Sequence, residues 1–89
     1  MIIGNNEYEL IENYKEGFEL NTVKELYTDY FDDFDYILGD WSYGKLRLKG
    51  FCDKINKKCN RINDIKYKDK YIKELCSYDC RYFIIKKVK

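Results

Sequence analysis

The chain has no histidine and no proline, and its 89 residues also lack alanine and glutamine. Without histidine, no side chain titrates near neutrality unless its pKa is displaced. That excludes Ser-His and Cys-His nucleophilic arrangements and every histidine-ligated metal centre. Serine is scarce, at Ser42 and Ser77, and neither stands in a G-x-S-x-G elbow. Hydrophobic runs are short, and no window approaches the length of a membrane-spanning helix. The opening Met1-Ile2-Ile3-Gly4-Asn5-Asn6-Glu7 has neither the basic start nor the apolar stretch of a secretory signal. A cytoplasmic setting without a membrane partner is therefore expected, with cysteines normally reduced. The richness in Lys, Ile, Asn and Tyr reads first as a coding bias toward AT-rich codons, so ten tyrosines need not be ten recognition sites.

The length fits one domain over residues 1–89, because two domains of half that size would each lack a core. Tyr8 to Tyr14 reads as a strand, with Ile2-Ile3 pairing to it across Gly4-Asn5-Asn6. Val23, Leu26, Tyr27, Tyr30, Phe31 and Phe34 recur at three- and four-residue steps, which predicts one helix over Asn21–Phe34. Thr22-x-x-Glu25 fits a capping box at its start. Tyr36–Asp40 and Lys45–Phe51 read as a hairpin, with Gly39 and Gly44 easing the backbone near the turn. Cys52–Lys66 is polar and reads as a loop. Tyr67–Ser77 is a weaker helix burying Tyr71, Ile72, Leu75 and Cys76. Arg81–Val88 is a final strand, and its Tyr82-Phe83-Ile84-Ile85 run, apolar on both faces, predicts a central position. The expected class is α+β: an antiparallel sheet of four to five strands with two helices in β-α-β-β-α-β order. Ferredoxin-like connections fit this string, and so does a related sandwich.

The near-neutral total conceals a division. Before Lys45 eleven acidic residues stand against two lysines, and from Lys45 onward fifteen basic residues stand against five acidic ones. Either the halves interleave and neutralise each other, or the protein has a basic side suited to RNA, a ribonucleoprotein or an acidic protein. In the second hairpin strand Lys45, Arg47 and Lys49 alternate with Leu46, Leu48 and Gly50, which places three cations on one face. With Asp40, Trp41 and Tyr43 of the turn, this row is the candidate partner-binding surface of a non-enzymatic module. Aromatics interleaved with cations suit base stacking and phosphate contact. If the row has no acid opposite, it repels itself and calls for an anion.

Two alternatives come from other classes. Cys52, Cys59, Cys76 and Cys80 could hold structural zinc in four thiolates. However, C-x6-C is wide for a zinc knuckle, and Cys76 lies on an apolar stripe where a buried thiol is ordinary. No cofactor is favoured. Asp40 beside Trp41 could be a catalytic carboxylate with a raised pKa. Against this small-enzyme reading, Asp at a hairpin end more commonly caps the turn.

Asp35-Tyr36-Ile37, Gly39-Asp40-Trp41, Tyr43-Gly44 and Leu46-Arg47-Leu48-Lys49-Gly50-Phe51 together resemble the YutD-like family of small bacterial proteins. Cys76-x-x-x-Cys80-x-Tyr82-Phe83, Lys86-Lys87 and the opening Met1-Ile2-Ile3 with Tyr8-Glu9-Leu10 extend the resemblance over nearly the whole chain. It implies an α+β domain in a cytoplasmic setting and brings no catalytic residues with it. Cys52 and Cys59 depart from the family pattern, which weakens zinc as a shared property.

Overall fold

Strands β1 (Ile2–Ile3), β2 (Asn6–Tyr14), β3 (Tyr36–Ser42), β4 (Lys45–Phe51) and β5 (Tyr82–Lys87) form one antiparallel sheet in the order β1-β2-β5-β3-β4. The computed structural model describes residues 1–53, 63–75 and 80–88. The α+β class and the strand string are as expected, but the connection is the related one. A ferredoxin-like sheet would centre the first and third long strands. Here β5 enters between β2 and β3, so the second and fourth long strands are central.

Strand residues point alternately to the two faces of a sheet, and both faces of the centre are apolar. Ile37, Phe83 and Ile85 join one cluster with Val23 of helix α1 (Leu20–Leu26). Tyr36, Leu38 and Ile84 join another with Tyr71 and Ile72 of helix α2 (Lys68–Leu75). The two helices therefore cover opposite faces. Phe83, Ile84 and Ile85 are wholly buried, in keeping with the central place expected for that run. Gly39 lies in β3 over the Phe83 ring, and a Cβ there would collide with the ring. Its role is to admit that ring, and easing the turn falls to Gly44.

The long helix predicted over Asn21–Phe34 is broken. Helix α1 ends at Leu26, Tyr27 and Thr28 are extended, and a 3-10 turn follows at Asp29–Asp33. Continuing the helix would gather Asp29, Asp32 and Asp33 at its negative end. The break instead lets Asp32 accept from Asn6 Nδ2 at 2.9 Å and from the Tyr27 hydroxyl. The Tyr27 and Tyr8 hydroxyls are 3.2 Å apart, and the Lys87 ammonium donates to the Asp32 carbonyl. Burial first, then the bond to Tyr27, holds the Tyr8 phenol protonated well above its ordinary range. The break also takes Leu26 and Tyr30 off the apolar stripe: both are exposed, while Val23, Phe31 and Phe34 remain buried. The capping box is not made. The helix starts after Glu19, and the Thr22 hydroxyl donates to the Glu19 carboxylate at 2.7 Å.

Further along, Cys52 bridges to Asp64, and a 3-10 turn at Ile65–Tyr67 leads into α2, one residue later than predicted. Most of the predicted loop, and the end of the predicted helix at Cys76 and Ser77, lie outside the described residues.

The two charge halves interleave. Acidic β2 pairs with basic β5, placing Glu9 opposite Lys86, and the Lys68 ammonium of α2 binds the Glu12 carboxylate.

Candidate binding site at the β3–β4 hairpin

Ser42 and Lys45 close the hairpin around a two-residue turn, Tyr43-Gly44. Both turn residues have positive φ, 54° and 76°. That is the pattern whose twist matches paired strands. Glycine adopts it freely, but tyrosine does so at a cost. Tyr43 also gains nothing from burial, since its side chain is 96% exposed.

A two-residue turn dictates which side chains meet across the strands. Asp40 falls directly opposite Arg47, and both point to the α2 face. The Asp40 carboxylate is wholly buried. Its Oδ2 accepts from Arg47 Nε at 3.1 Å, from Arg47 Nη2 at 2.7 Å and from Ser42 Oγ at 3.1 Å. Its Oδ1 accepts from the Tyr71 hydroxyl of α2 at 3.4 Å. Arg47 Nη2 also donates to Ser42 Oγ at 3.2 Å. Burying a carboxylate is costly unless its oxygens are hydrogen-bonded in this way.

These contacts correct two expectations. The cation row does have an acid opposite it, and Arg47 is bound to that acid. Asp40 does not face a partner; it sits beneath the surface and fixes Arg47. Arg47 keeps 46% of its side chain exposed, so its outer edge still reaches solvent. Lys49 donates to Asn63 Oδ1 at 3.0 Å, and Lys45 is exposed.

Trp41 is half-buried on the opposite face, packed against the α1-side cluster. Its Nε1 donates to the Gly17 carbonyl at 2.7 Å, and the Arg81 guanidinium stacks 4.7 Å from its ring centroid. Of the six predicted residues, Tyr43, Lys45, Arg47 and Lys49 reach the surface on or beside the hairpin, Trp41 does so in part, and Asp40 supports them from below. Ser42 and Tyr71 belong to the cluster and were missed. Ser42 could have been found from the turn alone, since it follows Asp40 by two residues and shares its face. Tyr71 is distant in sequence and carried no such signal.

Near the far end of the hairpin the Tyr36 hydroxyl donates to Asp53 Oδ1 at 3.0 Å. Burial, then Asp53, raises the Tyr36 pKa. For the cysteine alternative, Cys52 is disulfide-bonded and Cys80 carries a free, half-buried thiol. Cys59 and Cys76 lie outside the described residues. The bonded Cys52 departs from the reduced state expected for the cysteines.

Comparison with known proteins gives one consistent match. A family model described as "YutD-like: Putative antitoxin YutD-like" matches residues 2–86. A Bacillus subtilis (strain 168) protein named "Putative antitoxin YutD" is 44% identical over 89 residues, covering 100% of this chain and 98% of that protein. The solution NMR structure of protein yutD from B. subtilis superimposes with a TM-score of 0.82 at 44% identity, covering 100% of this chain and 81% of that one.

Proposed function

The chain belongs to the YutD-like family, and from that premise we propose that it is a non-enzymatic, cytoplasmic binding module that holds an acidic protein at the β3–β4 hairpin. The observation that carries this reading is Tyr43. A tyrosine in a left-handed turn, 96% exposed, takes a costly backbone conformation and buries almost none of its ring against the described residues. Large aromatics at a rigid tip are typical anchors of a protein interface. Lys45, Arg47 and Lys49 run along β4 from that anchor on one face, and Asp40 holds Arg47 in place from below. The relative's name, "Putative antitoxin YutD", supports a binding role over a catalytic one.

RNA is the second partner chemistry that suits cations beside aromatics. The acidic protein is preferred because several cations of the basic half are engaged internally among the described residues. Arg47 is bound to Asp40, Lys68 to Glu12, and Lys87 to the Asp32 carbonyl, while Lys86 stacks on Tyr36. A phosphate-tracking groove needs many uncommitted cations.

Crosslinking in living cells, with separate protein and RNA readouts, tests the assignment. The expected result is a protein crosslink lost in Tyr43→Ala, whose fold is unchanged. RNA binding at about 50 mM salt that falls steeply by about 200 mM would favour the RNA reading. Crosslinks indifferent to Tyr43 and to the three cations would remove the hairpin from consideration.

A further inference from the structure

The end of the sheet that carries the hairpin turn is the costly one to build. Among the described residues, three that are not glycine have left-handed backbone: Lys15, Glu16 and Tyr43, at φ of 53°, 54° and 54°. Side chains resist that conformation. Strands β2 and β3 both run toward this end, where Tyr14 and Asp40 each pair with Tyr82, so the three gather there. Strain of this kind concentrates where ligands are held. The turn after β2 also has a structural consequence. It brings the buried Gly17 so close to the Tyr82 backbone that a Cβ would meet Tyr82 N at 2.8 Å. The Gly17 carbonyl then accepts from Trp41 Nε1 at 2.7 Å, which fixes the indole. On that indole stacks the Arg81 guanidinium, 4.7 Å from the ring centroid. Arg81 is exposed, and among the described residues no carboxylate pairs with it. An indole attracts a guanidinium through its π face but gives its N–H groups no lone pair. Arg81 is therefore held in place with its donors unused.

We propose, building on the hairpin reading above, that the interface continues from the Tyr43 tip across the end of the sheet to Arg81, and that Arg81, braced on Trp41, takes a carboxylate of the acidic partner in bidentate fashion. A guanidinium matches a carboxylate with two parallel N–H donations, a geometry that an ammonium lacks. The Trp41 amide donates to the Arg81 carbonyl at 2.9 Å, and Trp41 pairs with Leu46 on its other side. Arg81, Trp41 and Leu46 thus lie side by side on the α1 face. Lys45 pairs with Ser42 on the α2 face. It is exposed, and among the described residues it too has no carboxylate partner. With strands about 5 Å apart, the backbones of Arg81 and Lys45 stand about 10 Å apart across β3. One cation therefore lies on each face, and Tyr43 stands beyond both at the tip. A partner that covers the tip meets Arg81 and Lys45 with an acidic side chain on either side of the tyrosine.

The test uses the full chain and an acetylated, amidated octaglutamate, with an oligouridine of equal length in parallel. NMR follows the Arg81 Nε–H, the Trp41 Nε1–H and the backbone amides of Tyr43 and Lys45. Octaglutamate should shift both side-chain signals together with the two amides. Arg81→Gln should weaken binding about tenfold or more. Arg81→Lys keeps the charge but loses the bidentate geometry, and should still weaken it about fivefold. Lys24→Gln removes the same charge from helix α1 and should bind like the parent. Arg81 is exposed, so its variants should keep the parent's urea midpoint, and the shifts on the unmodified chain stand without any variant.

Several results would overturn the proposal. Octaglutamate that shifts Tyr43 and Lys45 without moving Arg81 ends the extension but leaves the hairpin reading intact. Arg81→Lys binding like the parent removes the bidentate contact. Equal weakening by Lys24→Gln and Arg81→Gln reduces the effect to net charge and overturns the assignment. Oligouridine binding without octaglutamate binding gives this end of the sheet to RNA. If neither probe moves Arg81, Tyr43 or Lys45, this proposal and the reading it rests on both fall.

Discussion

Removing the Arg47 guanidinium tests whether the hairpin base is held by the Asp40 carboxylate. In Arg47→Ala the carboxylate, wholly buried, loses two charge-assisted hydrogen bonds of 3.1 and 2.7 Å and keeps Ser42 and Tyr71. Breaking a buried pair from one side costs about 3–5 kcal/mol. Arg47 is 46% exposed, so water replaces part of what is lost, and the expected cost falls to about 2–3 kcal/mol. Asp40→Asn preserves size and frees Arg47 to rehydrate, which should cost about 1–2 kcal/mol. If the two groups act as one unit, the double variant costs less than the sum of the singles by about 1–2 kcal/mol. Replacing both by leucine should be nearly neutral, because no unpaired charge then remains. Urea unfolding followed by Trp41 fluorescence measures all four variants. A cost below about 0.5 kcal/mol for Arg47→Ala with no coupling to Asp40 would refute the reasoning.

Val23→Ala should cost about 2 kcal/mol, whereas Leu26→Ala, at a site 41% exposed, should cost well under 1 kcal/mol in the same assay. Gly39→Ala forces a methyl into the Phe83 ring and should destabilise by about 3 kcal/mol, with Phe83→Leu restoring much of it in the double variant. If Gly39→Ala is silent, the close approach of ring and strand is refuted. Tyr8, Tyr27, Tyr36 and Tyr82 all have raised pKa values, burial being the first cause in each. A folded-state pKa above the unfolded one contributes stability that is complete below the unfolded value. That stability is lost as pH rises through the range between the two. Their contribution should be flat from neutrality to about pH 9 and decline above about pH 10. The decline should be shallower in Tyr8→Phe and Tyr27→Phe, and a slope in both variants equal to the parent's would sink the account.

Period and turn chemistry are local, and what depends on them could be read from the chain alone. The apolar alternation of Lys45–Phe51, the doubly apolar run Tyr82–Ile85 and the glycine Gly44 near the turn determined a hairpin, a central strand and the α+β class. Strands over Tyr36–Asp40 and Lys45–Phe51 leave the register open, and the Ser42–Lys45 closure that sets Asp40 opposite Arg47 appears only in the fold. Helix periodicity was less reliable. Of the stripe from Val23 to Phe34 only Val23, Phe31 and Phe34 are buried, and the helix yields to three aspartates at its negative end and to a polar network with Asn6, Tyr8 and Lys87, residues contributed by β2 and β5. The strand order, with β5 between β2 and β3, depended on how two helices cover opposite faces. No local pattern records that choice. Tertiary structure alone brought Tyr71 to Asp40 and Gly17 to Trp41, because these contacts join segments that only folding places side by side. It also settled part of the charge division: antiparallel pairing of acidic β2 with basic β5 sets Glu9 opposite Lys86, and Lys68 of α2 binds Glu12.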